Sequence, residues 1–482
     1  MNSFGRRLVL NTTTQRKMNL LDYLLTGPKS IQETSNELKV SEKTVRRLVS
    51  FLEEELPEEI RLDVLRSSVL VLEVSDYFVY SSLMKSWASE SPLYNIIETL
   101  FYSEHLTIGE YSDHLFLSET TIRTYLKQLE TLVDEYKLKL NLSPVVSLVG
   151  DEENIRYFYF HFYFYSGELI AENPRHQANA QGIYNYLDYL SMEFQIPLYI
   201  DYTRLLIWMF VIETRLSQGN SVVLDEKLID RHWNTHYFQQ FLKAFNLFFS
   251  SNEIWKNGSK SELVYAYITR LSTVVYEDGK PYFMGEYIKE LENFEVIVSN
   301  FLKKFDVNRV VYSEMEFKLK SYLANLFFLS ESTTLHQKIV IEPDFPSTYE
   351  SVYQLWLELL EDSEWAYKKD VALNLTYIVC SSFMKKDYKY KNILFVLTGE
   401  PVLIPYYKQL IHRLLPQEAN AHYLFNKPIS KDLLQALDID IIISNIALNL
   451  NKIQEKQCTL IRLSDNPDEK EWAALVKKLY KV

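Results

Sequence analysis

SIQETSNELKVSEKTVRRLVSFLE, residues Ser30 to Glu53, returns as TIGEYSDHLFLSETTIRTYLKQLE at Thr107 to Glu130. An offset of 77 places Ile31 on Ile108, Glu33 on Glu110, Ser35 on Ser112, Leu38 on Leu115, Ser41 on Ser118, Thr44 on Thr121 and Arg46 on Arg123. The copies agree at polar positions as well as apolar ones, so one supersecondary unit is used twice.

The unit has an interpretable shape. A short helix is followed by a two-residue break and by Ser-Glu-x-Thr, where the serine can cap a second helix and the acid sits in its first turn. Val45, Val49 and Leu52, like Ile122, Leu126 and Leu129, recur at helical spacing and make one buried stripe. The opposite face carries Lys43, Arg46 and Arg47 in the first copy and Arg123, Thr124 and Lys127 in the second, with Thr44 and Thr121 in the same first turns. Two short helices with a tight turn, the second basic on its free face, form a helix-turn-helix whose second helix enters the DNA major groove. These eight side chains are the candidate DNA contacts; the alternative is a plain helical hairpin with no ligand.

Each copy has a helix before it and a wing after it. Arg16 to Leu25 and Leu93 to Tyr102 carry the apolar spacing to pack behind the unit. Ile60 to Leu65 with Val69 to Val74, and Leu138 to Leu142 with Val145 to Val149, read as strand pairs. Helix, helix, helix, hairpin is the winged-helix order.

At 482 residues and 47% hydrophobic content, the chain is long enough for three to five domains, each with its own core. No signal peptide and no apolar run of membrane-spanning length is seen, so a cytoplasmic protein is expected. Two cysteines, Cys380 and Cys458, form no CxxC pair and imply neither a structural disulfide nor a zinc site. The net charge of -13 speaks against a nucleic-acid partner until it is divided: Met1 to Ser50 carry +5 and the remainder -18. A DNA-facing head on an acidic body has that asymmetry.

After Gly150 the character changes. GDEENIRYFYFHFYFY (Gly150 to Tyr165) opens with acidic helix-starting residues and runs into nine aromatic residues, His161 counted among them. An RNA-stacking platform is one reading, although the glycines of an RNA-recognition strand are missing. A buried helix joining head to body is the other. Gly167 to Gly182 has the polar, proline-containing look of a linker. Two stretches of helical period follow, with no phosphate loop, HExxH or GxSxG among them. The last ninety residues alternate strand and helix, which implies a small parallel sheet covered by helices. Expected divisions are 1–76 and 77–165 for the two winged units, 166–280 and 281–390 for the helical bundles and 391–482 for the α/β tail.

This layout, above all the doubled helix-turn-helix followed by GDEENIRYF, resembles the Mga/AtxA family of bacterial transcriptional regulators, some of them global regulators. The resemblance implies that the helical segments are similar to phosphotransferase-system regulatory domains, and the tail to an enzyme IIB domain. Partners implied are double-stranded DNA, a second copy of the chain and phosphotransferase-system phosphocarriers; no cofactor is implied.

Such regulatory domains usually contain phosphorylatable histidines in helices resembling L-x-x-H-L and E-I-x-Y-L-x-x-H. Here the matching positions are Trp208 and Tyr322, then Thr269 and Tyr377, none of them histidine. His232 and His236 lie four apart and share a face if Asp230 to Phe241 is one helix, which makes them candidate phosphoacceptors or a metal pair. Where a IIB domain holds its nucleophilic cysteine, directly after the first strand, this chain has Leu397 or Thr398. The expectation is a mainly helical, multidomain DNA-binding regulator without enzymatic activity. The rival readings are a phosphorylation-controlled RNA antiterminator and a IIB-type phosphotransferase.

Overall fold

The structure, a computed structural model, describes residues 3–166 apart from 10 and 67, most of 182–276, 292–304, 309–339 and 349–387, and 392–475 with gaps. The chain is mainly helical and divides into two compact units, Met1–Ile378 and Val379–Val482.

The first unit begins with the winged architecture expected of the repeat. Helices Thr12–Leu24, Ile31–Glu37 and Glu42–Glu55 precede a hairpin of β2 (Ile60–Leu65) and β3 (Val69–Val74). Their antiparallel register runs from Ile60 opposite Val74 to Leu65 opposite Val69. A two-residue strand, β1 (Lys29–Ser30), adds to β3 and completes a three-stranded sheet; two residues are too short to leave a periodic signal. Met18, Leu21, Val45, Leu48, Leu52, Ile60 and Leu70 close one core. Helix Tyr77–Ser89, which sequence periodicity did not reveal, packs Tyr80, Met84 and Ala88 onto that core.

The second copy repeats the order with Pro92–Phe101, Ile108–Leu115, Glu119–Asp134 and a shorter hairpin, β4 (Lys139–Asn141) with β5 (Ser147–Val149). Its core also takes Phe4 and Leu8 from the start of the chain. Cores therefore interlock across the 76/77 division drawn from sequence.

Glu152–Ser166, the aromatic helix, runs inside this unit. Tyr157, Phe158, Tyr159, Phe160, Phe162 and Tyr163 are all buried, Phe160 stacks on Trp208 at 4.3 Å and Phe101 packs against Tyr159 and Tyr163. Rings so enclosed present no base-stacking platform, which removes that reading of the run. Helices Tyr202–Ser217, Glu226–Trp233, His236–Phe249 and Lys260–Thr269 extend the same core. Glu295–Leu302, Arg309–Ser332, Glu350–Leu360 and Lys368–Asp387 follow, with Phe301 stacked on Trp356 at 3.9 Å. The linker expected over Gly167 to Gly182 lies, Gly182 apart, outside the described residues.

The second unit holds a four-stranded parallel sheet in the order β7-β6-β8-β9, with β6 Ile393–Leu397, β7 Ala421–Phe425, β8 Ile441–Ser444 and β9 Thr459–Arg462. Every residue of β6 is buried. Ile393, Phe395 and Leu397 face Tyr407, Ile411 and Trp472, whereas Leu394 and Val396 face Leu424, Ile439 and Ile442. Both faces are thus covered, as parallel sheets require. Among the described residues no helix is long and apolar enough to cross a membrane.

Candidate nucleic-acid interface

The 77-residue repeat is reproduced at the turn in its side-chain caps. Ser30 accepts from the Glu33 backbone N–H while the Glu33 carboxylate accepts from that of Ser30; Thr107 and Glu110 form the same capping box. The Ser35 hydroxyl donates to the Val40 carbonyl, and the Ser112 hydroxyl to that of Leu117. Lys39 and Phe116 both turn the chain at φ 53°. The Ser41 and Ser118 side chains then accept from the Thr44 and Thr121 N–H groups at 3.2 Å. Three capped or bonded positions per copy fix the angle between the short helix and the longer one.

That angle sets what the longer helices present. Val45, Leu48, Val49 and Leu52, and Ile122, Leu126 and Leu129, are buried. Lys43, Arg46 and Arg47, and Arg123, Thr124 and Lys127, are exposed. Thr44 and Thr121 stand apart from these six, because each is half-buried with its hydroxyl 2.9 or 2.8 Å from the capping serine. Their visible work is in the cap. Arg123 stands 3.6 Å from Glu119 one turn earlier, an exposed pair worth little and easily exchanged for a phosphate.

Part of the positive charge at the start of the chain is engaged in ion pairs. Arg6 pairs with Asp22, Arg7 with Glu135 and Lys17 with Glu55. Helix Glu42–Glu55 exposes Lys43, Arg46 and Arg47 on its free face, so positive charge of the first head lies on that helix.

Behind the heads, the GDEENIRYF stretch anchors the aromatic helix. Arg156, fully buried, donates two bonds to Glu262 at 2.7 and 2.9 Å, one to Glu152 at 3.0 Å and one to the Asn220 carbonyl at 3.0 Å. Glu152 also receives Arg215, at 3.0 and 2.8 Å. The network ties helices Glu152–Ser166, Tyr202–Ser217 and Lys260–Thr269 together, a role the sequence pattern alone did not disclose.

The single helix on which the two histidines would share a face does not form. Helix Glu226–Trp233 ends before His236 opens the next, so His232 and His236 do not share one helical face. Asn234 and Thr235 supply the break, with Thr235 accepting from the Phe238 N–H. His232 is fully buried against Tyr267 and Phe328, and burial pushes its pKa down to about 3; His236 is exposed. Among the described residues no group of three or more His, Cys, Asp or Glu could hold a metal ion.

In the tail, the position after the first strand is bonded to the end of the neighbouring strand β8. The Thr398 N–H donates to Asn445 Oδ1 and the Asn445 amide donates to the Thr398 carbonyl, both at 2.8 Å. Asn445 is buried just past β8, so this pair links the carboxyl ends of β6 and β8, the side on which such sheets usually bind ligands, while Thr398 itself is exposed. Cys380 is buried in a helix, and Cys458 lies outside the described residues.

Residues 76–163 match the family model described as the Mga helix-turn-helix domain. Over 409 residues the chain is 21% identical to the capsule synthesis positive regulator AcpB of Bacillus anthracis, covering 80% of this chain and 83% of that protein. The family match spans the second head; the first head shares its bond pattern at the fixed offset.

Proposed function

We propose that the chain is a DNA-binding regulator of the Mga/AtxA kind, and that both winged heads grip double-stranded DNA through Lys43, Arg46 and Arg47 and through Arg123, Thr124 and Lys127. The observation that carries the reading is the duplicated turn, which leaves those six side chains exposed on two identically capped helices. So few cations per groove favour phosphate contact and DNA shape over base reading, giving modest sequence selectivity and a preference for bendable sites.

The name of AcpB supports activation as the regulatory sense. The helical segments serve as regulatory domains of phosphotransferase type, open to phosphocarrier proteins, and the tail serves as a IIB-like assembly module in a cytoplasmic homodimer or larger oligomer. Leu397 and Thr398, standing where a IIB domain holds its cysteine, support a tail without phosphotransfer chemistry.

Gel shifts over a range of salt concentrations test the DNA reading. Arg46→Ala with Arg47→Ala should weaken binding on unrelated duplexes alike and flatten the log K against log salt slope by about 1 per lost phosphate contact. Arg123→Ala with Lys127→Ala should do the same for the second head. Unchanged binding by both variants, or stronger binding to RNA hairpins than to duplex DNA, overturns the assignment.

A further inference from the structure

A partly open cavity of about 420 Å³ lies in the first unit, within the range that holds small metabolites. Its walls come from the aromatic helix (Tyr157, His161), from Arg204 and from the segment around His336 and Lys338. Tyr322 and Asn325 add polar groups from helix Arg309–Ser332.

The chemistry of the walls is uneven. Among the described residues no carboxylate lies within ion-pair distance of Arg204; its Nε donates to the Ser272 carbonyl at 3.2 Å, and its guanidinium rests over Phe160 and Phe164. A cation placed against rings in this way is held in position and still has N–H groups for an anion. Asn325 is 1% exposed and gives its amide to the Tyr276 hydroxyl at 2.6 Å, while its carbonyl oxygen has no hydrogen-bond partner among the described residues. The buried Nε2 of His336 is in the same condition. Burial keeps His161 and His336 neutral, so they offer hydrogen bonds rather than charge. The Asp370 carboxylate is felt at Tyr157 and Tyr322 and opposes an anion there, so a charged group is drawn to the side of the cavity where its two cations, Arg204 and Lys338, lie.

One wall is continuous with the second head. Lys338 stands 3.7 Å from Glu135, the residue that ends the reading helix Glu119–Asp134. His161 Nδ1 is 3.1 Å from the hydroxyl of Tyr136, and Lys137 donates to Thr334 at 2.6 Å. We propose that this cavity is an effector site for a small hydroxylated organic anion, a sugar phosphate or sugar acid, whose charged group meets Arg204 and draws Lys338 away from Glu135. Its hydroxyls bond to Asn325 and His336, groups that would otherwise carry a desolvation cost. Occupancy thereby reaches the end of the second reading helix without touching DNA.

The experiment uses the full chain without DNA, so its outcome is separable from that of the DNA reading. Glucose 6-phosphate, gluconate and glucose share one carbon skeleton and differ in the head group. Calorimetry should show binding of at least one anion and none of glucose, and hydrogen exchange over residues 119–137 should change when that anion is added. Binding of the phosphate alone or of the acid alone identifies the head group. Arg204→Gln should weaken binding at least tenfold. Lys338→Gln, at the cavity rim, should weaken it several-fold and abolish the exchange response, with the unfolding temperature of each variant confirming its fold. No binding of either anion at about 10 mM, equal binding of glucose, undiminished binding by folded variants, or binding with no exchange response overturns the proposal.

Discussion

Arg156 and Glu262 meet as a fully buried, doubly bonded ion pair that joins the helix behind the winged heads to the helical body. Removing one partner strands the other in a medium that solvates charge poorly. Arg156→Met should therefore destabilise the first unit by about 3–5 kcal/mol, read by urea unfolding. Arg156→Met together with Glu262→Leu should lose less than Arg156→Met alone, because no isolated charge remains at Glu262 and Glu152 keeps Arg215. A double variant worse than the single one contradicts this account.

Ser41 and Ser118 each satisfy an N–H at the start of a reading helix. Ser41→Ala and Ser118→Ala should each cost about 1 kcal/mol. Frayed first turns also misplace Lys43 and Arg46, or Arg123, so each variant should bind DNA more weakly than its stability loss predicts. Parallel unfolding and gel-shift measurements separate the two effects. DNA affinity equal to that of the unsubstituted chain would detach the caps from function.

The heads were legible in the sequence because their signals are local. The capping boxes, the apolar stripes and the hairpin at Ile60–Leu65 and Val69–Val74 each depend on residues a few positions apart. What escaped is non-local. Glu262 is 106 residues from Arg156, and nothing at either position announces the other. Phe4 and Leu8 pack into the second head rather than the first, and helix Tyr77–Ser89 carries apolar residues without a clean period, so Tyr77 and Phe78 remain exposed. The His232–His236 spacing suggested one face only on the premise of an unbroken helix, and Asn234 and Thr235 remove that premise. Alternation implies a parallel sheet in the tail but no strand order, and the bonds between Thr398 and Asn445 join strand ends 47 residues apart.

Buried histidines make the protein sensitive to mild acid. Desolvation lowers His232 and His336 to about 3 from an ordinary 6.5. The unfolded chain takes up these protons near pH 6.5 and the folded chain does not, so the unfolded state binds more protons from there down to about pH 3. Stability is complete above that window and falls as pH drops through it, by about 1.4 kcal/mol per pH unit for each such histidine. Between about pH 6.5 and 5.5, above the range where carboxylates titrate, His232→Asn should flatten the fall by one histidine's share. Urea unfolding at several pH values provides the measurement, and an unaltered slope would place His232 in a solvated site.

Phe116 turns the second helix-turn-helix at φ 53° while 94% exposed, and Lys39 does the same in the first at the same φ. Left-handed backbone is strained for a side chain with an ordinary Cβ, and asparagine tolerates it better. An exposed ring contributes little burial to offset that strain. Phe116→Asn should therefore stabilise the second head by roughly 0.5–1 kcal/mol, and Lys39→Asn the first by a similar amount. Because neither position belongs to the exposed ridge of the reading helices, DNA affinity with Phe116→Asn should stay within about twofold of the unsubstituted chain. A stable variant that loses DNA binding would instead identify Phe116 as a contact of the turn with the duplex, and a destabilised one would show that the ring packs against a surface in the working assembly.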